Sequence, residues 1–268
     1  MTERALTRTE ISKYLGEIGL DAGMDVMIHG GLRGIGYLAN GADDVVDGVL
    51  DRIGDKGTLL APGHSGQLTD PADWAAPPVP ADVVEFIRAN MKPFDPHRTP
   101  IRNRGAIADA IFRVPGVKRS THPLVSVLAV GARAAEYTRT HPLHASEGPE
   151  SPCFRLYEAG GKVLLFGVDM GNCTAPHVAE YIVDCSYLRE NVRNVLHVDA
   201  DGKRQFVRLE RYPGTSQYFT KLQPYLEKVG ALRNVALENY LITLFDLRTA
   251  VDYAVERLHE DEQYFLHP

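Results

Sequence analysis

The chain is short of several things that would each assign it to a function class. Cysteine is scarce: only Cys153, Cys173 and Cys185 occur in 268 residues, and no CxxC pair is formed. That spacing signals neither a disulfide framework nor a zinc site, and it fits a reducing, cytoplasmic compartment. No apolar run approaches the ~18 residues a membrane helix needs. Residues 1–5 carry no apolar h-region, so no signal peptide is expected. Positive charge is lacking as well. A net charge of −6 argues against a nucleic-acid surface, which needs a basic patch. No internal repeat or low-complexity stretch occurs. What is present is a chain of 44% hydrophobic and 24% charged residues. It is long enough for a full core and is expected as a single domain over residues 1–268.

The opening reads helix, strand, helix, strand. Ile11, Tyr14, Leu15 and Ile18 recur at the helical period within residues 9–20, and Asp25-Val26-Met27-Ile28-His29 is a short buried strand. Residues 41–53 form an amphipathic helix with Asp43 and Asp44 in its first turn, where the helix dipole favours acids. Thr58-Leu59-Leu60-Ala61-Pro62 is a second strand, and together these give a βα unit and an α/β fold. Residues 63–104 break the rhythm with seven prolines and the single tryptophan, Trp74. A long Pro-rich segment inside a domain points to function rather than filler. Within and after it, helices are expected over 81–91, 104–112 and 132–140, and a strand over 123–130. Further on come a strand over 162–166, a helix around His177, and an antiparallel pair at 193–198 and 205–209 turned by residues 199–202. Helices over 219–229 and 246–259 close the chain.

Two segments carry chemistry. The strand Lys162-Val163-Leu164-Leu165-Phe166 runs into Gly167 and a polar loop, then Thr174, Pro176 and His177-Val178-Ala179-Glu180. A loop between a strand end and a helix start is where open α/β sheets place ligands. Thr174 is the expected N-cap. His177 and Glu180, at i and i+3, share a helix face, and a histidine steered by a carboxylate is suited to taking a proton from an amine, water or hydroxyl. The competing reading is a histidine that only caps or packs. Cys173 also invites a Cys–His nucleophile reading. The second segment, His29-Gly30-Gly31-Leu32-Arg33-Gly34-Ile35-Gly36, follows a strand; bare backbone N–H groups and a guanidinium suit a phosphate or pyrophosphate. It lacks the Gly-Lys-Ser/Thr of a Walker A loop, and a tight turn would need the same glycines. His64, His122, His141 and His144 have no metal-ligand spacing, so no metal is expected.

These segments, taken in order, resemble the aminoglycoside 3-N-acetyltransferase family. The likeness is carried by Val26–His29, Ser65–Trp74 with Pro77–Pro80, Phe94–Pro100, Arg119–Pro123, Leu164–Val168, Thr174-x-x-His177-x-x-Glu180 and Phe265–Pro268. It implies acetyl transfer from acetyl-CoA to an amine of an aminoglycoside, with the 3-amino position as the target. It also implies a CoA-holding loop at His29, Gly30, Gly31, Leu32 and Arg33, with Ser120 and His122 close to the cofactor. His177 corresponds to the catalytic base with Glu180 as its acid, and Thr174 lies beside the thioester. Glu180 is preferred on helix spacing to Glu210, the rival acid. Asp70, Trp74, Glu147 and Glu210 are the candidate acceptor contacts. The expected architecture is a central mixed sheet flanked by helices, the Pro-rich insertion and the C-terminal helices walling the cleft. Partners are coenzyme A and a small amine, with a homo-oligomer left open.

Departures from the family pattern keep two alternatives in play. The family loop reads His-Ser-Ser where this chain has His29-Gly30-Gly31, and Asp-x-Asn-Thr where it has Gly171-Asn172-Cys173-Thr174, with Asp169 the substitute acid. The segment after Glu210 lacks the acids of many members. A different amine acceptor, such as a nucleotide-linked or natural-product amine, is one alternative, and a CoA-binding protein without catalysis is the other.

Overall fold

The computed structural model describes residues 5–199, 201–211, 213–237 and 240–268. Strand β1 (Ala5–Leu6) leads into α1 (Arg8–Glu17), β2 (Asp25–Gly30), β3 (Tyr37–Leu38), α2 (Ala42–Ile53) and β4 (Thr58–Pro62). The middle of the chain forms α3 (Ala81–Asn90), α4 (Gly105–Arg113), β5 (Lys118–Arg119), β6 (Val127–Gly131), α5 (Ala134–Thr138) and α6 (Pro152–Glu158). Then come β7 (Lys162–Phe166), α7 (Val178–Val183), β8 (Arg193–Val198), β9 (Arg204–Leu209), α8 (Gln223–Lys228), β10 (Leu232–Leu237), β11 (Tyr240–Asp246) and α9 (Leu247–Glu260).

Seven of these strands make one mixed sheet in the order β10-β11-β7-β2-β4-β6-β5. Only the central three, β7, β2 and β4, run parallel. Their apolar runs are buried on both faces, as a covered parallel sheet requires. Alternate residues divide between two cores. Met27, Leu60, Val163 and Leu165 face α5, α6, α7 and α9, whereas Val26, Ile28, Leu59, Leu164 and Phe166 face α1, α2 and α4. Because β2, β4 and β7 point the same way, Gly30, Pro62 and Phe166 finish on one edge of the sheet, and the loops that follow them converge there.

Gly167 is where this convergence is most tightly constrained. It sits at φ +70°, and a Cβ there would lie 2.1 Å from the Tyr240 ring. The Tyr240 hydroxyl donates to the Gly31 carbonyl at 2.6 Å, so one aromatic side chain ties the loop after β2 to the loop after β7.

The Pro-rich stretch folds as two 3₁₀ turns, Gly66–Leu68 and Pro71–Asp73, followed by α3. Buried Arg119 pins it to the sheet, bonding the Thr99 and Gly63 carbonyls and the Ser65 and Ser126 hydroxyls while lying over the Phe94 and Phe112 rings. A cavity of about 970 Å³ opens beside this stretch, lined mainly by Leu68, Trp74, Met91, Phe94, Pro96 and Pro100.

Several sequence boundaries shift. The strand expected over 123–130 begins only at Val127, because the chain turns at His122, whose Nδ1 accepts the Leu124 and Val125 N–H groups at 3.1 Å each. The 219–229 helix divides into a 3₁₀ turn, Gln217–Leu222, and α8. Helix α6 and the hairpin β10–β11 are elements that the sequence pattern does not predict. The pair β8–β9 forms a separate ribbon, and Ala200 in its expected turn lies outside the described residues, as do residues 1–4 of the N-terminal stretch. Among the described residues no helix is long and apolar enough to cross a membrane.

Candidate active site

The loop after β7 delivers His177 through two successive turns. Asp169 caps the first by accepting the Gly171 N–H at 3.0 Å, and it also holds the Asn172 amide. It is exposed and occupied there, so it does not replace the family acid beside His177. Ala175–His177 form a 3₁₀ turn that runs into α7, with Pro176 fixing the entry. Thr174 is the N-cap residue of that turn, as expected, but its side chain makes no capping hydrogen bond; its carbonyl accepts the His177 N–H at 3.1 Å.

His177 Nδ1 lies 2.9 Å from Glu180 Oε1, and both side chains are buried. The second carboxylate oxygen accepts the Gly214 N–H at 3.1 Å. The edge-on Phe219 ring, 4.6 Å away, closes the other side of the imidazole. An acceptor on Nδ1 keeps the neutral ring's proton there and leaves the Nε2 lone pair to take a proton. Burial alone would lower the His177 pKa. The charge and hydrogen bond of Glu180, helped by Glu147, outweigh it and hold the group above the ordinary histidine value. Glu210 is exposed on the ribbon, 3.7 Å from Arg208, so the acid that meets His177 is Glu180. Cys173 is fully buried, and burial pushes its thiol up to about 12. That removes the thiolate a Cys–His nucleophile needs.

A second feature lies at the strand ends. A cavity of about 210 Å³ is lined by His29, Gly30, Pro62, Arg104, Gly105 and Asn172, among others. The first turn of α4 opens onto it with no side-chain cap at Arg104. His29 is buried, and burial, with the nearby Arg104 charge, lowers its pKa to about 3, so it is neutral. Its Nε2 is buried with no hydrogen-bond partner among the described residues. A helix N-terminus, an arginine and an orphaned imidazole nitrogen around one cavity are suited to an anionic or carbonyl-bearing ligand. Gly30 is glycine for steric reasons: a Cβ would come within 2.7 Å of Ile107 and 2.9 Å of Phe166. Gly31 is under no such constraint, its nearest neighbour being Val168 at 3.8 Å.

The remaining sequence candidates are scattered. Leu32 is half-buried, and exposed Arg33 lines a separate 260 Å³ cavity with Val168, Asp169 and Tyr240. Ser120 is fully buried; its hydroxyl accepts the Val127 N–H and meets His141 Nδ1, each at 2.8 Å. His122 has both ring nitrogens bonded to backbone. Asp70 is held by Arg88 through two hydrogen bonds of 2.9 and 2.7 Å. Trp74 donates to the Thr69 carbonyl at 3.1 Å. Glu147 is buried against Ser146. Sequence reasoning missed Arg104 and the partnership of Ser146 with Tyr181. The pair Arg104-Gly105 at a helix start was a readable signal for the first, whereas nothing in spacing joins residues 146 and 181.

Comparison with known proteins gives a consistent result. A sequence profile described as aminoglycoside 3-N-acetyltransferase matches residues 27–259. The SPbeta prophage-derived aminoglycoside N(3')-acetyltransferase-like protein YokD of Bacillus subtilis (strain 168) is 30% identical over 249 residues, 92% of this chain and 90% of that protein. Aminoglycoside N(3)-acetyltransferase IX of Micromonospora chalcea is 35% identical over 182 residues; the match covers 67% of this chain and 63% of that enzyme's length. Among solved structures, AAC-IIIb in a binary complex with CoASH superposes with a TM-score of 0.81 at 28% identity, covering 96% of this chain and 97% of its own.

Proposed function

We propose a specific reaction for this chain, which belongs to the aminoglycoside 3-N-acetyltransferase family and is therefore an acyltransferase. The reaction is direct transfer of the acetyl group of acetyl-CoA to an aminoglycoside amine, with His177 as general base. The His177–Glu180 dyad at the end of β7 is the observation that carries this reading. A protonated alkylamine has no lone pair to attack with, so a base must hold its proton. The amine nitrogen bonds to the thioester carbonyl carbon, the amine proton passes to His177 Nε2, and the C–S bond breaks with its electron pair on sulfur, so that coenzyme A leaves as a thiolate that the imidazolium reprotonates. Glu180 stabilises the imidazolium that forms. Donor binding at the strand ends is supported by the α4 N-terminus, Arg104 and the unpartnered His29 Nε2, since backbone N–H groups and a guanidinium match phosphate and carbonyl oxygens. The solved neighbour with CoASH bound supports the same donor.

One observation favours a second reading of the acceptor. Two of the acids expected to hold a polycation are engaged elsewhere: Asp70 with Arg88 and Glu147 inside the core. A less cationic amine fits that arrangement. A thiol-release assay with acetyl-CoA and a panel of aminoglycosides and other amines separates the two. His177→Ala should lose about 10²–10⁴-fold in kcat in the protein that remains folded. A variant that melts early but turns over normally would make His177 a packing residue and remove the mechanism.

A further inference from the structure

Buried beside the dyad is a chain of hydroxyls whose protons can be counted. The Tyr181 hydroxyl meets the Arg211 carbonyl, which can only accept, so the one phenolic proton is used there. The Ser146 hydroxyl lies 3.0 Å from the Tyr181 oxygen, and that contact is a hydrogen bond only if Ser146 donates its single proton. Ser146 also contacts Glu147 Oε2. With the serine proton already committed to Tyr181, this third contact requires a proton on the carboxyl. An ionised Glu147 would take the serine proton and leave the Ser146 and Tyr181 oxygens facing each other with none between them. Glu147 is itself 2% exposed.

We propose that Glu147 is a carboxylic acid in the resting protein, donating to Ser146, and that it is a positioning residue whose ionisation sets how tightly His177 holds its proton. This rests on the reading of His177 as the base. Burial supports the protonated form, raising the Glu147 pKa to about 7 against the opposing charge of His177, and Glu180 adds to the rise. Glu147 in turn raises the pKa of His177. The two therefore titrate as a coupled pair. Other titratable groups face the cluster: His141, its Nε2 2.7 Å from the Ser146 carbonyl and kept neutral by burial, Cys153 from α6, Tyr181 from α7, and Cys185 and Tyr187 just beyond it. Burial pushes every one of these thiols and phenols up, so they stay neutral where histidine titrates. The Arg211 guanidinium lies over the Tyr181 ring and is paired with Asp184 at 2.6 Å. As pH rises, Glu147 ionises and delays the loss of the His177 proton. The acid thus lifts the base toward the range where it can compete for an ammonium proton, and it does so without touching the substrate.

Glu147→Gln is the test, because an amide N–H donates to Ser146 in the same direction as the acid and carries no charge. The variant should melt within a few degrees of the parent, and a protonated-carboxyl band in infrared difference spectra should disappear. The His177 titration followed by NMR should move down by roughly 0.5–1 pH unit, below the 1–3 expected of a permanently ionised neighbour. The acidic limb of the kcat/KM profile should move with it, a 3- to 10-fold gain on the acid side. A large fall in melting temperature would show that the carboxylate form is needed and would overturn the assignment. So would an unmoved His177 titration in a well-folded variant. If the NMR titration moves and the rate profile does not, the tuning stands and the base reading fails.

Discussion

Replacing Glu180 with glutamine tests the dyad at a single atom pair. The carboxylate serves two donors at once, His177 Nδ1–H at 2.9 Å and the Gly214 N–H at 3.1 Å, and it is fully buried. An amide cannot satisfy both. With its oxygen toward Gly214, its NH2 faces Nδ1, which must then be bare. The imidazole proton moves to Nε2, and the base has lost the lone pair it needs. With the oxygen toward His177, the NH2 opposes the Gly214 N–H, leaving buried donors unpaired at a cost of about 1–3 kcal/mol. The first arrangement should therefore dominate. Removing the charge also withdraws support from the imidazolium. A neighbouring opposite charge moves a pKa by about 1–3 units, and at 1.36 kcal/mol per unit this is roughly 1.4–4 kcal/mol, or 10- to 10³-fold in rate. Adding the wrong tautomer brings the expected kcat loss to about 10²–10⁴-fold, with the melting temperature within a few degrees of the parent. Stopped thiol-release assays give the rate, and ¹⁵N NMR of the imidazole reports which nitrogen carries the proton. Glu180→Gln with more than a tenth of parental kcat, or with the proton still on Nδ1, would refute this reasoning.

Three further outcomes follow from the same structure. Gly30→Ser should destabilise by about 1–3 kcal/mol through overpacking against Ile107 and Phe166, whereas Gly31→Ser should be near neutral; urea unfolding of the two variants compares them, and equal effects would contradict the packing account. Arg104→Ala should weaken coenzyme A by up to about 10-fold at low salt and by less at high salt, as for an exposed charge; calorimetric affinity unchanged at low salt would remove Arg104 from the donor site. Acid should destabilise the fold through its buried neutral histidines. His122 is lowered to about 4 and His29 to about 3, chiefly by burial, so their stability is intact above the unfolded value near 6.5 and is lost as pH falls toward those numbers. For His122 that is roughly 3 kcal/mol by pH 4, partly opposed by His177, whose raised pKa favours the folded state as pH falls. His122→Asn, whose side-chain oxygen can still accept the Leu124 and Val125 N–H groups, should flatten the slope of urea midpoint against pH; an unchanged slope would count against this assignment.

Local chemistry makes much of this protein legible in its sequence. The continuous apolar runs at 25–29, 58–62 and 162–166 marked strands buried on both faces, because only a covered sheet tolerates such runs. The i,i+3 spacing of His177 and Glu180 placed both on one helix face, and the 2.9 Å contact realises it within a single helical turn. Segments whose order depends on distant partners were not legible. Helix α6 is seven residues long, and β10–β11 is ordered by pairing with β7, so neither carries a strong periodic signal of its own. The site shows the same division. Tertiary packing joined Arg88 to Asp70 across 18 positions, withdrawing an acid that the sequence alone presented as available. Tertiary packing also brought Ser146 onto Tyr181 across 35 positions, sealing Glu147 beside His177. Short-range spacing is set by covalent geometry and the helical repeat, both of which are written in the chain. The burial that moves a proton from one group to another depends on which distant segments exclude water, and only the folded structure decides that.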